Sequence, residues 1–135
     1  MKNHQSPIIN PPSSDTDDPL YREIILEHWQ NPQNFGVVKH AGFDIKGNNP
    51  TCGDSIRITG IIKSNKLVEI KFVGEGCAIS KASASLFTEF IKGKKITQLK
   101  KLTENDALKK LPIEITPSRH NCALLCIRTL QKLWS

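Results

Sequence analysis

Residues 55–72 read SIRITGIIKSNKLVEIKF and set the expectation for the fold. In the first half Arg57 and Thr59 alternate with isoleucines, and residues 68–72 repeat this alternation of apolar and polar side chains. A period of two is typical of a strand with one buried face, and Ser64-Asn65 between the halves is typical of a turn. The stretch therefore predicts a β-hairpin whose apolar face is covered by other elements.

Helical periodicity is found on both sides of this hairpin. Downstream, apolar residues over Ile79–Ile91 recur at spacings of three and four, and Gly93 supplies a C-terminal stop. Upstream, Asp18-Pro19 forms a pair suited to the N-cap and first helical position. We therefore predict a helix from about Pro19 to Gln30, which ends because Asn31 precedes a proline.

Weaker signals complete the predicted architecture. Residues 43–46 suggest a third strand, and Thr103 with Asp106 resembles a capping arrangement for a short helix that ends near Leu111. A last amphipathic helix is predicted over residues 118–134. Helices that cover one face of a small antiparallel sheet define an α+β fold with about three strands.

Length and composition indicate one globular domain. The chain has 135 residues, of which 38% are hydrophobic and 24% charged. Residues 1–18 are polar and rich in proline, so we expect a flexible tail before an ordered domain over residues 19–135. No apolar run approaches the roughly 18 residues of a membrane span, and no secretory signal is found. We expect a cytoplasmic protein without a membrane partner.

The net charge of +6 fits nucleic-acid binding, docking on an acidic partner, or simple solubility. Seven lysines gather between Lys92 and Lys110, and no aromatic side chain lies between Phe90 and Trp134 to stack on bases. We interpret these lysines as a solvated basic face and expect no nucleic-acid partner.

In a reducing compartment, clustered cysteines are candidates for metal binding or catalysis rather than for disulfides. Cys77 and Cys122 lie at predicted helix starts, where unpaired N–H groups and the helix dipole favour the thiolate. Cys52 and Asp54 lie two residues apart, and Gly53 permits a tight turn, so one loop can supply two ligands. Spacing alone leaves two alternatives, a metal site and ordinary buried thiols.

The remaining candidates are weaker. Cys126 lies on the apolar stripe of the last predicted helix, which favours a core role. His120 is as compatible with a capping or solvent-facing role as with metal ligation. His4, His28 and His40 have no cysteine near them in sequence, and we interpret them as structural or incidental.

Four motifs in order resemble the U-type iron-sulfur scaffold family, which includes IscU, SufU and the N-terminal domain of NifU. The resemblance covers the chain from about Leu20 to Trp134. The motifs are NPQNFG at 31–36, NPTCGD at 49–54, GEGCAIS at 74–80 followed by ASAS at 82–85, and RHNCALL at 119–125.

This resemblance implies a SufE/NifU-like α+β fold in which four ligands converge at an exposed tip. It implies a scaffold rather than an enzyme, which receives sulfur from a cysteine desulfurase, builds a transient [2Fe-2S] or [4Fe-4S] cluster and transfers it to apo-proteins. The inherited ligands, which would hold zinc equally well, are Cys52, Asp54, Cys77 and Cys122. Among them, Cys52 and Cys122 are the candidate persulfide acceptors.

The chain also departs from each branch of the family. In the IscU branch a histidine directly precedes the third cysteine, whereas Asn121 does so here and His120 is displaced by one. Only Leu111-Pro112 resembles the Leu-Pro-Pro-Val-Lys motif, which argues against a dedicated Hsp70 chaperone. The GEGC and NPTCGD motifs have the sequences seen in the SufU branch. Residues 78–121, however, leave little room for the insertion that SufU proteins usually carry between the second and third cysteines.

Two alternatives to a cluster scaffold follow from these observations. The first is a zinc-binding sulfur acceptor of the SufU type. The second is a zinc-stabilised binding module for acidic partners or nucleic acid, suggested by the net charge of +6. A monomer or a weak homo-oligomer is expected in each case.

Overall fold

The computed structural model describes residues 19–50, 53–111, 115 and 117–134. Three consecutive strands form one antiparallel sheet in the order β1-β2-β3, which confirms the α+β prediction. The strands are β1 (Phe43–Asn49), β2 (Asp54–Lys63) and β3 (Lys66–Glu75). The helices are α1 (Pro19–Gln30), α2 (Ala78–Ile91), α3 (Ile96–Leu99), α4 (Glu104–Lys110) and α5 (His120–Trp134), the last preceded by a 3-10 turn (Pro117–Arg119).

The predicted hairpin is present as β2 and β3. Its two-residue turn places Ser64 and Asn65 at φ values of 51° and 63°, as a tight hairpin turn requires. Ile58 pairs with Phe72 in the antiparallel register, and both side chains are buried on the face that the helices cover. The alternation of apolar and polar residues in the sequence therefore corresponds to side chains that point to opposite faces of the sheet.

The prediction was wrong about Thr59, which was assigned to the polar face. Thr59 is 2% exposed, and its hydroxyl accepts a hydrogen bond of 2.9 Å from the Val38 backbone N–H. The loop after α1 crosses the outer face of the sheet at this point, and Val38 is buried there as well. Local alternation cannot reveal this cover, because it comes from a segment distant in sequence.

The helix boundaries follow local signals closely. α1 ends at Gln30 as predicted, and Gly93 adopts a φ of +88° just after α2. Thr103 and Asp106 form a reciprocal capping box at the start of α4. The short α3 was not predicted. The predicted tail over residues 1–18 lies outside the described residues.

α2 and α5 pack on one face of the sheet and enclose the main core. α1 packs against α2 and closes a smaller cluster with the starts of α2 and α5. Among the described residues, no helix is long and apolar enough to cross a membrane. The fully buried members of the main core include Ile58, Leu67, Ile70, Ile91 and Leu130.

Gly47 determines how closely α5 approaches the edge strand β1. A Cβ atom at this position would overlap the hydroxyl and β-carbon of Thr129 on α5. β1 continues past the predicted end at Lys46 to Asn49, since these residues pair with β2 while α5 covers them. A polar sequence therefore becomes a strand through its tertiary contacts.

Substituting Gly47 by alanine should lower the free energy of unfolding by about 2 kcal/mol, because the added methyl group overpacks the interface with Thr129. Urea unfolding measures the change. Gly42→Ala is the matched control, since its Cβ would lie 3.6 Å from the Gly60 carbonyl oxygen, an ordinary contact. The control should stay within about 1 kcal/mol of the wild type. Equal effects of the two substitutions would contradict the account of Gly47.

Candidate metal centre

Three chain segments bring donor atoms together at one end of the sheet. Asp54 is the first residue of β2, Cys77 is the N-cap of α2, and Cys122 lies in the first turn of α5. One carboxylate oxygen and the two sulfur atoms all lie within 4.8 Å of one another. Three of the four predicted site residues are thus brought together.

The Asp54 carboxylate is held by the backbone that leads into α2. Its Oδ1 atom accepts a hydrogen bond of 3.2 Å from the Cys77 N–H. Gly76 makes this approach possible, because any Cβ there would collide with the carboxylate and because its φ of +156° disfavours other residues. The glycine before the second cysteine therefore serves the site directly.

The Cys77 side chain is directed at the N-terminus of α2. Its sulfur atom accepts a hydrogen bond of 3.4 Å from the Ser80 backbone N–H, so the side chain caps α2. The positive end of the helix dipole stabilises negative charge at this place. The sequence prediction of a cysteine at a helix start is confirmed, with Cys77 at the N-cap itself.

Cys122 is fixed by the packing of α5 against the rest of the domain. It is 1% exposed and belongs to the small core cluster that also contains Ala78 and Ile79. On the outer side of the same helix, the Arg128 guanidinium binds Glu104 through two hydrogen bonds of 2.7 and 3.1 Å. These hydrogen bonds hold the pKa of the Glu104 carboxyl below its usual range and tie the start of α4 to α5.

The resemblance implied ligands at an exposed tip, and for two of the donors this is wrong. Asp54 and Cys122 are each 1% exposed, and Cys77 is half-buried. The first turns of two helices and the end of a strand enclose the cluster from several sides, whereas a resemblance in sequence carries no information on accessibility. Access to the described donors is therefore limited to the side of Cys77.

The donor set fits a bound metal ion. Asp54 Oδ2 is buried and has no hydrogen-bond partner within the described part of the chain. A buried carboxylate oxygen without a partner is costly, and coordination to a cation removes that cost. Thiolates with one carboxylate are ligands that zinc accepts, and thiolates also hold iron-sulfur clusters.

Cys52 lies outside the described residues, together with Thr51. On either side of this pair, the Gly53 N–H donates a hydrogen bond of 2.8 Å to the Asn49 carbonyl oxygen. Gly53 has a φ of +76°, and nothing lies within 4 Å of a Cβ built on it. The tight turn that the sequence predicted at Gly53 is present.

The histidines do not join the donor cluster in the part of the chain that is described. His120 Nε2 lies 3.0 Å from the carbonyl oxygen of Ile115. His28 Nδ1 lies 2.7 Å from the Ser85 hydroxyl and so connects α1 with α2. For His28, this contact confirms the structural interpretation of the sequence.

Cys126 is a core residue, as its place on the apolar stripe predicted. It is 2% exposed, lies in the main core, and its burial raises the pKa of the thiol to about 12. The thiol therefore stays protonated at any physiological pH.

Sequence reasoning missed two contributions to the site. Gly76 was noted only as part of a motif, although the GEG run before Cys77 signals a close backbone approach. Ser80 acts through its backbone N–H, so its side chain carries no signal of that role.

The fold and the clustered donors define a small α+β domain with a candidate metal site of two cysteines and one aspartate. The chain belongs to the NifU-like N terminal domain family, which it matches over residues 20–133.

Two relatives illustrate the branches of this family. The zinc-dependent sulfurtransferase SufU of Bacillus subtilis is 37% identical over 85% of this chain and 89% of its own length. An iron-sulfur cluster assembly scaffold protein IscU of Archaeoglobus fulgidus is 33% identical over 84% of this chain and 73% of its own. The alignment with SufU spans 132 residues, more than this chain contributes, so SufU contains segments without a counterpart here.

Solved structures agree on the fold. The crystal structure of FiSufU from Fervidobacterium islandicum AW-1 matches with a TM-score of 0.68 and 28% identity, over 82% of this chain and 93% of that chain. A NifU-like protein (N-terminal) from Brucella abortus matches with a TM-score of 0.69 at 19% identity, over 83% of this chain and 90% of that chain. At 19% identity, the similarity to the Brucella abortus protein supports the fold alone.

Alkylation should separate the two kinds of cysteine. Iodoacetamide at about pH 8 should modify Cys77 in native metal-free protein and leave Cys126 intact, because a thiol with a pKa of about 12 is then ionised in only about one molecule in ten thousand. Peptide mass spectrometry measures both sites. In urea, where burial is lost, Cys126 should react. Modification of native Cys126 at the rate seen in urea would show that the thiol is not buried.

Proposed function

We propose that this protein is an iron-sulfur cluster assembly scaffold. It receives sulfur from a cysteine desulfurase, combines it with iron, and passes the resulting [2Fe-2S] or [4Fe-4S] cluster to apo-proteins. The observation that carries the proposal is the convergence of Asp54, Cys77 and Cys122. The scaffold proteins among its relatives support this choice.

Cys52 is proposed as the fourth ligand. It lies two residues before Asp54, so the chain itself keeps its Cα atom within about 7 Å of the Asp54 Cα atom. Three thiolates and one carboxylate then form the complete set. The cysteines require a reducing compartment to stay available, which is why we place the protein in the cytoplasm.

The proposed sulfur delivery is a thiol–persulfide exchange. An acceptor thiolate attacks the outer sulfur of the desulfurase persulfide, a new S–S bond forms, and the desulfurase cysteine leaves as a thiolate. Of the two candidate acceptors, Cys52 and Cys122, the burial of Cys122 favours Cys52. The sulfur enters the cluster as sulfide when an external two-electron donor, a thiol or a reduced electron-transfer protein, cleaves the new S–S bond, and the acceptor cysteine is then regenerated as a thiolate.

A second candidate function uses the same residues. The chain would be a zinc-holding sulfur acceptor, in which zinc orders the site and one thiolate takes the persulfide sulfur. The observation in its favour is the 37% identity to a zinc-dependent sulfurtransferase. The metal content of freshly isolated protein, followed by a desulfurase stimulation assay, separates the two functions.

Anaerobic reconstitution with iron and sulfide tests the scaffold. Wild-type protein should develop visible charge-transfer absorption, and Cys52→Ala and Cys77→Ala should each lose most of it. Cys126→Ala is the control and should keep the absorption, since this thiol lies in the core. If wild-type protein develops no absorption, or if Cys52→Ala equals wild type, the scaffold function is rejected.

Removing the carboxylate should prolong the life of the bound cluster. Asp54 supplies a hard oxygen ligand among soft sulfur ligands, which weakens one corner of the site. Asp54→Ala is therefore expected to retain its cluster longer than wild type when a chelator is added, as followed by visible absorption. Glu75→Ala removes a nearby exposed carboxylate and should behave as wild type. Equal or faster loss from Asp54→Ala contradicts this role of the carboxylate.

A further inference from the structure

Asn49 is a polar residue at an inward-facing position of the sheet. It is the last residue of β1 and is 9% exposed, whereas its neighbour Asn48 is exposed on the opposite face. The Asn49 side-chain Nδ2 atom is buried and has no hydrogen-bond partner within the described residues. Buried donors without a partner are rare in folded proteins, so this amide calls for an explanation.

The strand register places this amide beside the metal site. Asn49 and Asp54 are direct partners in the β1-β2 pairing, so their side chains share one face of the sheet. Directly opposed residues of an antiparallel pair have Cβ atoms about 4.5–5.5 Å apart. Asp54 Oδ2 also lacks a partner within the described residues. The Asn49 Nδ2 donor and the Asp54 Oδ2 acceptor thus lie on neighbouring residues, and neither has a hydrogen-bond partner among the residues that the structure describes.

The backbone around Asn49 is fixed, so the position of the amide follows from the fold. The Asn49 carbonyl oxygen accepts a hydrogen bond of 2.8 Å from the Gly53 N–H. Two residues earlier on the same face, Gly47 lies against Thr129 of α5. The backbone is therefore held on both sides of Asn49, and rotation of the side chain is enough to redirect its amide.

We propose that Asn49 is a positioning residue for a bound metal ion. When the site is loaded, the Asn49 Nδ2–H donates a hydrogen bond to the Asp54 oxygen that the Cys77 N–H does not reach. The carboxylate is then held from two sides while it coordinates the metal. Hydrogen bonds to a ligating carboxylate orient it and raise the affinity of the site. This inference rests on the proposed metal-binding function of Asp54, Cys77 and Cys122.

Metal titration of the metal-free protein tests the role of Asn49. Cobalt(II) reports the site through its thiolate charge-transfer and d–d absorption, and competition with a chelator gives the zinc affinity. Asn49→Ala should weaken zinc binding by about tenfold and change the cobalt d–d bands, because Asp54 loses its orienting hydrogen bond. Asn48→Ala, which removes the same amide from the opposite face, should match wild type in both measurements.

Two further measurements exclude other roles. Asn49→Asp removes the donor and should bind zinc more weakly than wild type. Tighter binding than wild type would show that charge or direct ligation at residue 49, and not an orienting hydrogen bond, sets the affinity. Metal-free Asn49→Ala should unfold at the wild-type temperature or above, because it removes a buried amide without a partner. A melting temperature several degrees lower would assign Asn49 a structural role.

The outcomes separate this inference from the function on which it rests. If wild-type protein binds cobalt with thiolate charge transfer while Asn49→Ala matches Asn48→Ala, the role of Asn49 is wrong and the metal site stands. If wild-type protein itself shows no thiolate charge transfer, both the metal site and the role of Asn49 are rejected.

Discussion

The hydrogen bond from the Cys77 N–H to the Asp54 carboxylate joins the start of β2 to the start of α2. It exists because Gly76 has no side chain, so the backbone can pass directly against the carboxylate. The same turn that positions Asp54 also makes Cys77 the N-cap of α2. With α5 packed against α2, Cys122 completes the group. The site therefore depends on tertiary packing and exists only when the sheet and both helices are assembled.

Most of the fold could be predicted from sequence because its signals are local. The turn at Ser64-Asn65, the glycine stop after α2 and the capping box at Thr103 each act within a few residues. The predictions were wrong where contacts with segments distant in sequence determine the burial of a residue or the length of a strand. The burial of Thr59 comes from the loop that carries Val38, and the continuation of β1 comes from pairing with β2 and cover by α5. Neither contact can be predicted from the local periodicity of the sequence.

Three residues that the structure brings together could be named from the sequence, but their environment could not. The positions of Cys77 and Cys122 at helix starts indicated thiolates, and resemblance to the family supplied the remaining ligand roles. Burial of Asp54 was missed, because it follows from how two helices and a strand close around one point. The inward position of Asn49 was missed too, since it depends on the register that places it opposite Asp54. The residue types indicated the chemistry of the site. The accessibility of the ligands and the residues that contact them could be known only from the folded structure.

In the proposed site, three thiolates and the Asp54 carboxylate hold one metal ion together. X-ray absorption at the zinc edge of zinc-loaded protein tests this coordination most directly, because the spectrum reports the number and type of ligand atoms. We expect three sulfur atoms at about 2.3 Å and one oxygen atom at about 2.0–2.2 Å. A first shell of nitrogen and oxygen atoms only, or one with a single sulfur atom, would contradict it.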